Sequence, residues 1–303
     1  MEDSLLIVGT GALATFFAAK LATAGVDVTV LGTWREGLEA LAKVGARIDN
    51  SAGISIRTIN QPSECRNIKC ALVLIKTWQT EQAGRQLQDC LAKDGLVVTL
   101  QNGLGSDETL ARIIGRRRVA RGVTTIGATL LEPGHVHLGG EGNVILDEQP
   151  RFSPIIEMLR IAKVPVEIVK DIQPYVWEKL IINVAINPLT GLLRVKNGEL
   201  LRNPAAQVLM KRLVEEAVSV AKTHGIELPF VNPIKAAEEA ARRSADNLSS
   251  MLQDLLRGSE TEVDAINGAI VRLGDKYHLP VEFNRAICLL VKAMSVRGNI
   301  LIA

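Results

Sequence analysis

A short apolar run followed by a glycine-rich turn, near the start of the chain, constrains the fold more than any other feature. Residues 5–8 form an aliphatic run typical of a buried strand. The turn after this run contains Gly9, Thr10, Gly11, Ala12, Leu13 and Ala14. Gly9 permits a tight turn, Gly11 lets the backbone approach a pyrophosphate, and Ala14 lets a helix pack closely on the strand. Because a helical pattern follows, we predict a dinucleotide-binding, Rossmann-type domain rather than a chance glycine turn.

The end of the second predicted strand, residues 26–31, normally selects the cofactor. An acidic residue there binds the ribose hydroxyls of NAD, whereas a basic residue accommodates the 2′-phosphate of NADP. This sequence continues as Gly32-Thr33-Trp34-Arg35, without an acid. We therefore predict NADP(H), with Thr33 and Arg35 as phosphate ligands and Trp34 as a surface for the adenine. An ordinary surface loop is the alternative.

Two later predicted strands also end in polar residues. Residues 71–75 lead into Lys76-Thr77-Trp78-Gln79, and residues 96–100 lead into Gln101-Asn102-Gly103. Open α/β sheets bind ligands at the carboxyl ends of their strands. Each segment on its own could be a plain loop. Their recurrence at one sheet edge predicts that Lys76 and Asn102 bind a ligand.

The periodicity of the sequence changes near residue 170. Before it, we predict further strands at residues 53–59, 119–128, 134–138, 143–146 and 166–169, with helices at 83–91 and 152–162. After it, the predicted elements are all helices, at residues 174–185, 205–224, 232–256, 260–277 and 283–295. We place the boundary at Lys170-Asp171. The prediction is a cofactor domain at residues 1–170 and an all-α domain at residues 171–303.

A polar stripe interrupts the first of these apolar helices. Lys179, Asn183 and Asn187 are spaced by four residues, which places them on one side of a helix. Two interpretations are open: the amides could bond to neighbouring helices while the lysine reaches solvent, or the three groups could bind a ligand. A buried cation and buried amides are costly unless something pairs with them, so a ligand is a serious candidate.

Two further helical stretches carry polar residues among core positions. Asn247 and Ser250 are three residues apart and would share a helix face. Glu262 lies near the predicted start of another helix. Each alone would be a capping or surface group by default.

Composition excludes several classes of partner. The chain has 303 residues and a formal net charge of +2, which gives no argument for nucleic acid or an anionic membrane as a partner. The four cysteines form no C-x-x-C pair and no histidine cluster accompanies them, so we predict reduced structural thiols and no metal site. The N-terminus is too acidic for a signal peptide, and no stretch reaches the about 20 apolar residues that cross a bilayer. We expect a cytoplasmic protein with a small-molecule substrate.

Together these motifs resemble the ketopantoate reductase (2-dehydropantoate 2-reductase) family over essentially the whole chain. The resemblance is carried by Gly9-x-Gly11-x-x-Ala14, Lys76-Thr77-Trp78-Gln79, Gln101-Asn102-Gly103, Trp177-Glu178-Lys179, Asn187-Pro188-Leu189-Thr190, Asn197-Gly198-Glu199-Leu200, the segment from Asp246 to Asp254, and Thr261-Glu262-Val263-Asp264-x-Ile266-Asn267-Gly268. It implies a Rossmann domain followed by a helical domain like that of 6-phosphogluconate dehydrogenase. One departure concerns the cofactor, because Thr33 stands where the family usually has an arginine, and Arg35 would substitute for it.

The resemblance also implies the reaction, which is reduction of ketopantoate to pantoate by NADPH in pantothenate and coenzyme A biosynthesis. It makes Lys179 the general acid and Glu262 the partner of the substrate hydroxyl. It makes Asn102, Asn183, Asn187, Asn247 and Ser250 ligands of the substrate, with Asn102 also at the nicotinamide and Lys76 at the cofactor. The alternatives are a reductase of the same fold acting on another 2-oxo acid, and a non-catalytic dinucleotide sensor. The helical domain offers surfaces for a homodimer.

Overall fold

The N-terminal part of the chain folds as strands and helices around a largely parallel sheet, as the sequence predicts. The computed structural model describes residues 4–295. Two compact units divide the chain: an N-terminal unit of Met1–Gln101 and Gly105–Ile172, and a helical unit of Asn102–Leu104 and Gln173–Ala303. A three-residue excursion after one strand therefore belongs to the helical unit.

The strands of the N-terminal unit form two sheets. They are β1 Ser4–Val8, β2 Asp27–Leu31, β3 Arg47–Ile48, β4 Arg57–Ile59, β5 Ile68–Val73, β6 Leu91–Thr99, β7 Val119–Thr124, β8 Gly127–Glu132, β9 His135–Gly140, β10 Val144–Asp147 and β11 Val166–Val169. The larger sheet has the order β11-β10-β7-β6-β5-β1-β2-β4, and the smaller has the order β3-β9-β8. Only the β7–β10 pair is antiparallel in the larger sheet.

Both faces of the larger sheet are buried, which explains the continuous apolar runs in its central strands. The helices of this unit are α1 Ala12–Thr23, α2 Arg35–Lys43, α3 Thr80–Cys90, α4 Ser106–Ile114 and α5 Ser153–Ile161. Successive side chains of a strand point to opposite faces. Accordingly, Leu5 and Ile7 pack in the cluster that contains residues of α1 and α5. Leu6 and Val8 pack with residues of α3 and α4 instead.

All the regular elements of the helical unit between residues 173 and 295 are helices. They are α6 Gln173–Leu193, α7 Pro204–Thr223, α8 Pro233–Arg243, α9 Ser250–Leu256, α10 Asn267–Tyr277 and α11 Glu282–Ser295, with a 3-10 segment at Asn197–Arg202. The predicted fold class, an α/β Rossmann-type unit followed by an all-α unit, is confirmed. Within residues 4–295, no helix is both long enough and apolar enough to span a membrane.

Several element bounds differ from the prediction. The strand predicted at 119–128 is two strands, because the Thr124 hydroxyl bonds to backbone groups of Asn143 and Ile126 and interrupts the ladder. The strand pair predicted at 53–59 is a single three-residue strand, and α2 and α4 were not predicted. The helix predicted at 232–256 is interrupted after Arg243 and resumes at Ser250.

Candidate active site

Two of the loops singled out in the sequence follow neighbouring parallel strands. β1 lies between β2 and β5, with β6 and β7 beyond β5. After β1 the chain adds β2 on one side of it, and later adds β5, β6 and β7 on the other side. Val8 pairs with Val73 in register, so the turn after β1 and the Lys76 loop after β5 follow at the same carboxyl edge. Such a topological switch point is where open α/β sheets bind their ligands.

Gly9 is required by the fold itself. Its φ is +128°, and a Cβ at this position would lie 2.8 Å from the carbonyl oxygen of Leu74. The Gly9 amide donates a 2.8 Å hydrogen bond to the carbonyl of Leu31. Any side chain at residue 9 would therefore be strained in its backbone and would collide with the loop after β5.

Gly11 is not required by the fold. Its backbone is extended, with φ −79° and ψ −170°, and a Cβ built on it meets no protein atom within 4 Å. Gly11 precedes α1, whose N-terminus has no side-chain cap and no acidic residue in its first turn. Unpaired amides at a helix N-terminus favour an anion. Open space beside an uncapped helix fits the pyrophosphate of a dinucleotide.

The other residues of the glycine turn line the start of α1. Thr10 is buried at the end of the strand, Ala12 and Leu13 are half-buried, and Ala14 is fully buried against the sheet. The packing of Ala14 agrees with the role expected for the third small residue of the motif.

The loop after β2 is exposed and lacks an acid before α2. Thr33 is exposed. Arg35 begins α2, its side chain is 90% exposed, and its guanidinium pairs with Glu39 at 2.7 Å. The Trp34 ring packs over Gly37, where a Cβ would lie 2.4 Å from the ring. Exposure leaves the Arg35 guanidinium accessible to a phosphate, and the Glu39 carboxylate competes for it.

Lys76 lies in the loop after β5, which is held by Gln101, a residue of the Gln101-Asn102-Gly103 segment for which no role was predicted. The buried Gln101 amide donates to the Ile75 carbonyl at 3.1 Å and to the Thr80 hydroxyl at 2.9 Å. The two bonds hold the loop on either side of Lys76. The Lys76 amide donates to Gln79 at 3.3 Å. The sequence signal for Gln101 is its position as the first polar residue after the apolar run at residues 96–100.

Asn102 joins the helical unit and lies beside Glu262. Its side-chain amide donates a 3.1 Å hydrogen bond to a carboxylate oxygen of Glu262, which is only 5% exposed. The Leu104 amide donates to the Ala265 carbonyl at 3.0 Å. A Cβ at Gly103 would lie 2.3 Å from that carbonyl oxygen. Residues 102–104 are therefore fitted closely to the turn that contains Glu262.

The polar stripe lies within α6, as predicted. Lys179 and Asn183 are half-buried, and Asn187 is 7% exposed. Glu262, predicted near the start of a helix, precedes it: α10 begins only at Asn267. The Glu262 carbonyl accepts the amides of residues 265 and 266 at 3.0 and 3.1 Å, which makes this segment a compact turn.

Asn247 and Ser250 do not share a helix face, and that expectation was wrong. α9 begins only at Ser250, because the Ser249 side chain caps it by accepting from the Leu252 amide at 3.1 Å. The Ser249 hydroxyl also accepts a 2.7 Å hydrogen bond from Thr190 of α6. Ser250 is exposed and Asn247 is half-buried. The Thr190–Ser249 bond fixes the start of α9 on α6.

Burial also perturbs the carboxyl group beside Lys179. Desolvation raises the pKa of Glu178, and the positive charge of Arg243 opposes this shift. A raised carboxyl pKa means that the folded chain disfavours the charged form of Glu178.

The N-terminal unit belongs to the class of dinucleotide-binding proteins, by its glycine turn at a sheet switch point. Comparison of the chain with family models makes the class specific. The model described as "Ketopantoate reductase PanE/ApbA" matches residues 5–151, and the model of the C-terminal part of the same family matches residues 171–295. The chain therefore belongs to the ketopantoate reductase family, and the predicted resemblance is confirmed.

Relatives match over nearly the whole chain. A 2-dehydropantoate 2-reductase of Archaeoglobus fulgidus is 36% identical over 295 residues, which are 95% of this chain and 96% of the relative. Another, of Pyrococcus horikoshii, is 31% identical over 97% of this chain and 98% of its own length.

Solved structures show the same fold. A ketopantoate reductase of Ralstonia eutropha superposes with a TM-score of 0.89 and 29% identity, covering 98% of this chain and 100% of its own. A D-mandelate dehydrogenase solved with NADH and anilino(oxo)acetate superposes with a TM-score of 0.91 and 25% identity, covering the same shares.

Proposed function

We propose that this chain reduces 2-dehydropantoate (ketopantoate) to pantoate with NADPH, a step of pantothenate and coenzyme A biosynthesis. The supporting observation is that the Lys179 helix and the Glu262 turn both lie in the part of the chain, residues 171–295, that matches the C-terminal model of the family. The observed exposures suit a ligand-binding role, because the stripe on α6 is partly buried and partly accessible.

The residues proposed to bind the cofactor belong to the N-terminal unit, except Asn102, which belongs to the helical unit. The backbone of residues 9–14 holds the pyrophosphate at the N-terminus of α1. Thr33 and Arg35 hold the 2′-phosphate, and Lys76 adds a positive charge at the switch point. NADPH, when bound, supplies the hydride.

Lys179 is the proposed general acid. During hydride transfer to C2, the carbonyl bond opens and negative charge develops on its oxygen. A protonated Lys179 stabilises that charge and donates the proton that completes the hydroxyl group. Asn183, Asn187, Asn247 and Ser250 hold the carboxylate and the terminal hydroxyl, which orients the carbonyl carbon.

Glu262 and Asn102 are proposed to act as a pair. The buried Glu262 carboxylate binds the substrate hydroxyl. Its hydrogen bond to Asn102 fixes the carboxylate and the amide together, and thereby places the Asn102 side chain for the nicotinamide end of the cofactor and for the substrate.

Oxidation of NADPH, followed by its absorbance with ketopantoate present, tests the assignment in wild type and Lys179→Ala. We expect wild-type turnover, and a fall of kcat in the variant by about 100- to 10,000-fold, as general acids contribute. Unchanged turnover in the variant would contradict the role of Lys179. Binding of NADPH without any turnover by wild type would favour a dinucleotide sensor.

A second candidate is a reductase of the same fold for another 2-oxo acid with NADH. Two observations favour testing it: the D-mandelate dehydrogenase solved with NADH has the same fold, and Thr33 replaces the usual arginine. The values of kcat/KM for a panel of 2-oxo acids, each with NADPH and NADH, decide between the two. A preference for a non-hydroxylated 2-oxo acid would support the second candidate.

We also propose a cytoplasmic homodimer that associates through α11. All four cysteines are free thiols, as expected in a reducing compartment.

Apolar residues lie on the exposed side of α11, with Phe283, Leu289 and Leu290 at 40%, 62% and 53% exposure. Light scattering after size exclusion tests the assembly with Leu290→Glu, and Leu256→Glu, which is exposed on α9, serves as the matched control.

A further inference from the structure

α6 contains a proline in its interior, close to the polar stripe. The helix runs from Gln173 to Leu193 and continues through Pro188, although the sequence predicted an end before it. In a helix each carbonyl accepts the amide four residues later. Proline has no amide hydrogen, and its ring crowds the carbonyl four residues before it. Val184 is that residue, so its carbonyl accepts no hydrogen bond from position 188.

Val184 lies in the middle of the proposed substrate site. It directly follows Asn183, and it precedes Asn187 by three residues. A buried carbonyl that loses its hydrogen-bond partner destabilises the helix, and a helix with a broken bond bends at that point. Left unsupported, the break would change the angle between the Lys179 half and the Asn187 half of the stripe.

The side chain of Asn267 supplies the missing bond. Its amide nitrogen donates to the Val184 carbonyl at 3.3 Å and to the Asn284 side-chain oxygen at 3.0 Å. Asn267 and Asn284 are both fully buried. Asn267 is also the first residue of α10, five residues after Glu262. One side chain therefore repairs α6 and ties it to the turn that contains Glu262.

Hydrogen bonds made by Asn284 fix the orientation of Asn267. Asn284 donates from its side-chain nitrogen to Glu216 at 2.8 Å and to the Leu213 carbonyl at 3.2 Å. Glu216 also accepts the backbone amides of Phe283 and Asn284, each at 2.9 Å. With both donors used, the Asn284 oxygen faces Asn267 and accepts from it.

The Asn267 side chain makes its bonds through the nitrogen only. The Asn267 side-chain oxygen is buried and has no hydrogen-bond partner within residues 4–295. An unsatisfied buried acceptor destabilises the folded state. An apolar residue at position 267 would avoid that cost, but it would leave the Val184 carbonyl without the bond from the Asn267 nitrogen.

We propose that Asn267 is a positioning residue: it replaces the hydrogen bond that Pro188 removes from α6, and so holds Asn183 and Asn187 in register with Lys179 and with the Glu262 turn. The proposal rests on the function proposed above. It predicts that Pro188→Ala compensates for the loss of Asn267, because an alanine at position 188 supplies an amide for the Val184 carbonyl.

The test compares Asn267→Ala, Pro188→Ala and the double variant. We expect Asn267→Ala to lower kcat by tenfold or more with ketopantoate, while the Kd for NADPH stays within threefold of wild type. The double variant should regain most of the lost kcat. Asn203→Ala is the matched control: it removes a cap of α7 that accepts from Ala205 and Ala206 at 3.0 and 3.2 Å, so it destabilises the fold without altering kcat or KM.

Hydrogen exchange of the α6 amides gives a readout that does not depend on turnover. Amides of residues 185–192 should exchange faster in Asn267→Ala than in wild type, and slow again in the double variant. Asn267→Ala that fails to fold while the double variant folds supports the proposal. Wild-type kcat in Asn267→Ala, or a double variant as impaired as the single one in kcat and exchange, would overturn it. Exchange that behaves as expected in a chain without ketopantoate turnover would refute the proposed function alone.

Discussion

Asn102 and Glu262 are 160 residues apart in sequence, and the Asn102 amide donates a 3.1 Å hydrogen bond to the Glu262 carboxylate. The bond connects the segment that follows β6 to the turn before α10. Because this bond fixes each side chain relative to the other, loss of either residue should disturb both. We therefore expect the two residues to act as one unit in binding substrate.

Asn102→Ala tests this unit. A hydrogen bond to a charged group contributes about 1.5–3 kcal/mol, so we expect kcat/KM for ketopantoate to fall by about 10- to 100-fold. The double variant with Glu262→Ala should be little worse than Glu262→Ala alone, because the bond is already absent. Additive losses in this cycle of steady-state measurements would contradict the pairing.

Alanine substitutions at the two glycines of the N-terminal turn should affect different properties, stability at Gly9 and cofactor affinity at Gly11. Gly9→Ala places a side chain at a positive φ and against the Leu74 carbonyl, which should lower the free energy of unfolding by about 1–3 kcal/mol. Gly11→Ala meets no protein atom, so the fold should be unchanged, while the Kd for NADPH rises tenfold or more.

Urea unfolding and fluorescence titration with NADPH measure the two effects separately. Gly25→Ala is a useful control, because Gly25 also has a positive φ, of +86°, with no atom near its Cβ position. It should lose stability without losing cofactor affinity in the folded protein. Unchanged NADPH binding by Gly11→Ala would contradict a pyrophosphate at this turn.

The sequence predicted those parts of the fold that depend on local pattern. The apolar runs of β1, β5 and β6 and the glycine turn are local signals. β1 was placed to within one residue, whereas β5 begins three residues and β6 five residues before the predicted run. α2 was missed because it is only nine residues long, shorter than the span over which a helical period is normally recognised, although Leu38 and Leu41 repeat at helical spacing and pack in the core.

Tertiary contacts determined what the sequence could not predict. Pro188 normally signals the end of a helix, but α6 continues because Asn267, distant in sequence, bonds to the Val184 carbonyl. The polar stripe was predicted from spacing alone. Its support by Asn267 and by the Thr190–Ser249 bond required knowledge of which helices pack together.

The buried thiols should be unreactive in the native protein. Burial raises the pKa of Cys70 to about 11 and that of Cys90 to about 12, and it also raises the pKa of Cys65 and Cys288. At pH 8 the thiolate fraction of Cys90 is about one in ten thousand, and the thiolate is the nucleophile.

We therefore expect negligible labelling by an aromatic disulfide reagent at pH 8 in native buffer, and labelling of all four thiols in guanidinium. Mass spectrometry of the labelled sites measures both results. Rapid native labelling of Cys90 would show that the thiol is not buried as described. A slow rate that follows the unfolding rate is the expected residual reaction.

Glu178 should make the stability of the protein depend on pH. Burial raises its pKa in the folded state above its ordinary value. Between the ordinary and the raised pKa, the folded chain binds more protons at this group than the unfolded chain. The free energy of unfolding therefore decreases as pH rises through this window, and the cost is fully present above the raised pKa.

Glu178→Gln removes this cost, because the amide stays neutral. We expect the variant to have a higher Tm than wild type at pH 7.5 and a difference near zero at about pH 3, more than one unit below the ordinary glutamate pKa, where the wild-type carboxyl is protonated in both states. Scanning calorimetry across this range measures the difference. Glu227→Gln, which changes an exposed carboxylate, should show no comparable change of ΔTm with pH. A Tm difference that is the same at both ends of the range would mean that Glu178 acts through packing and not through its charge.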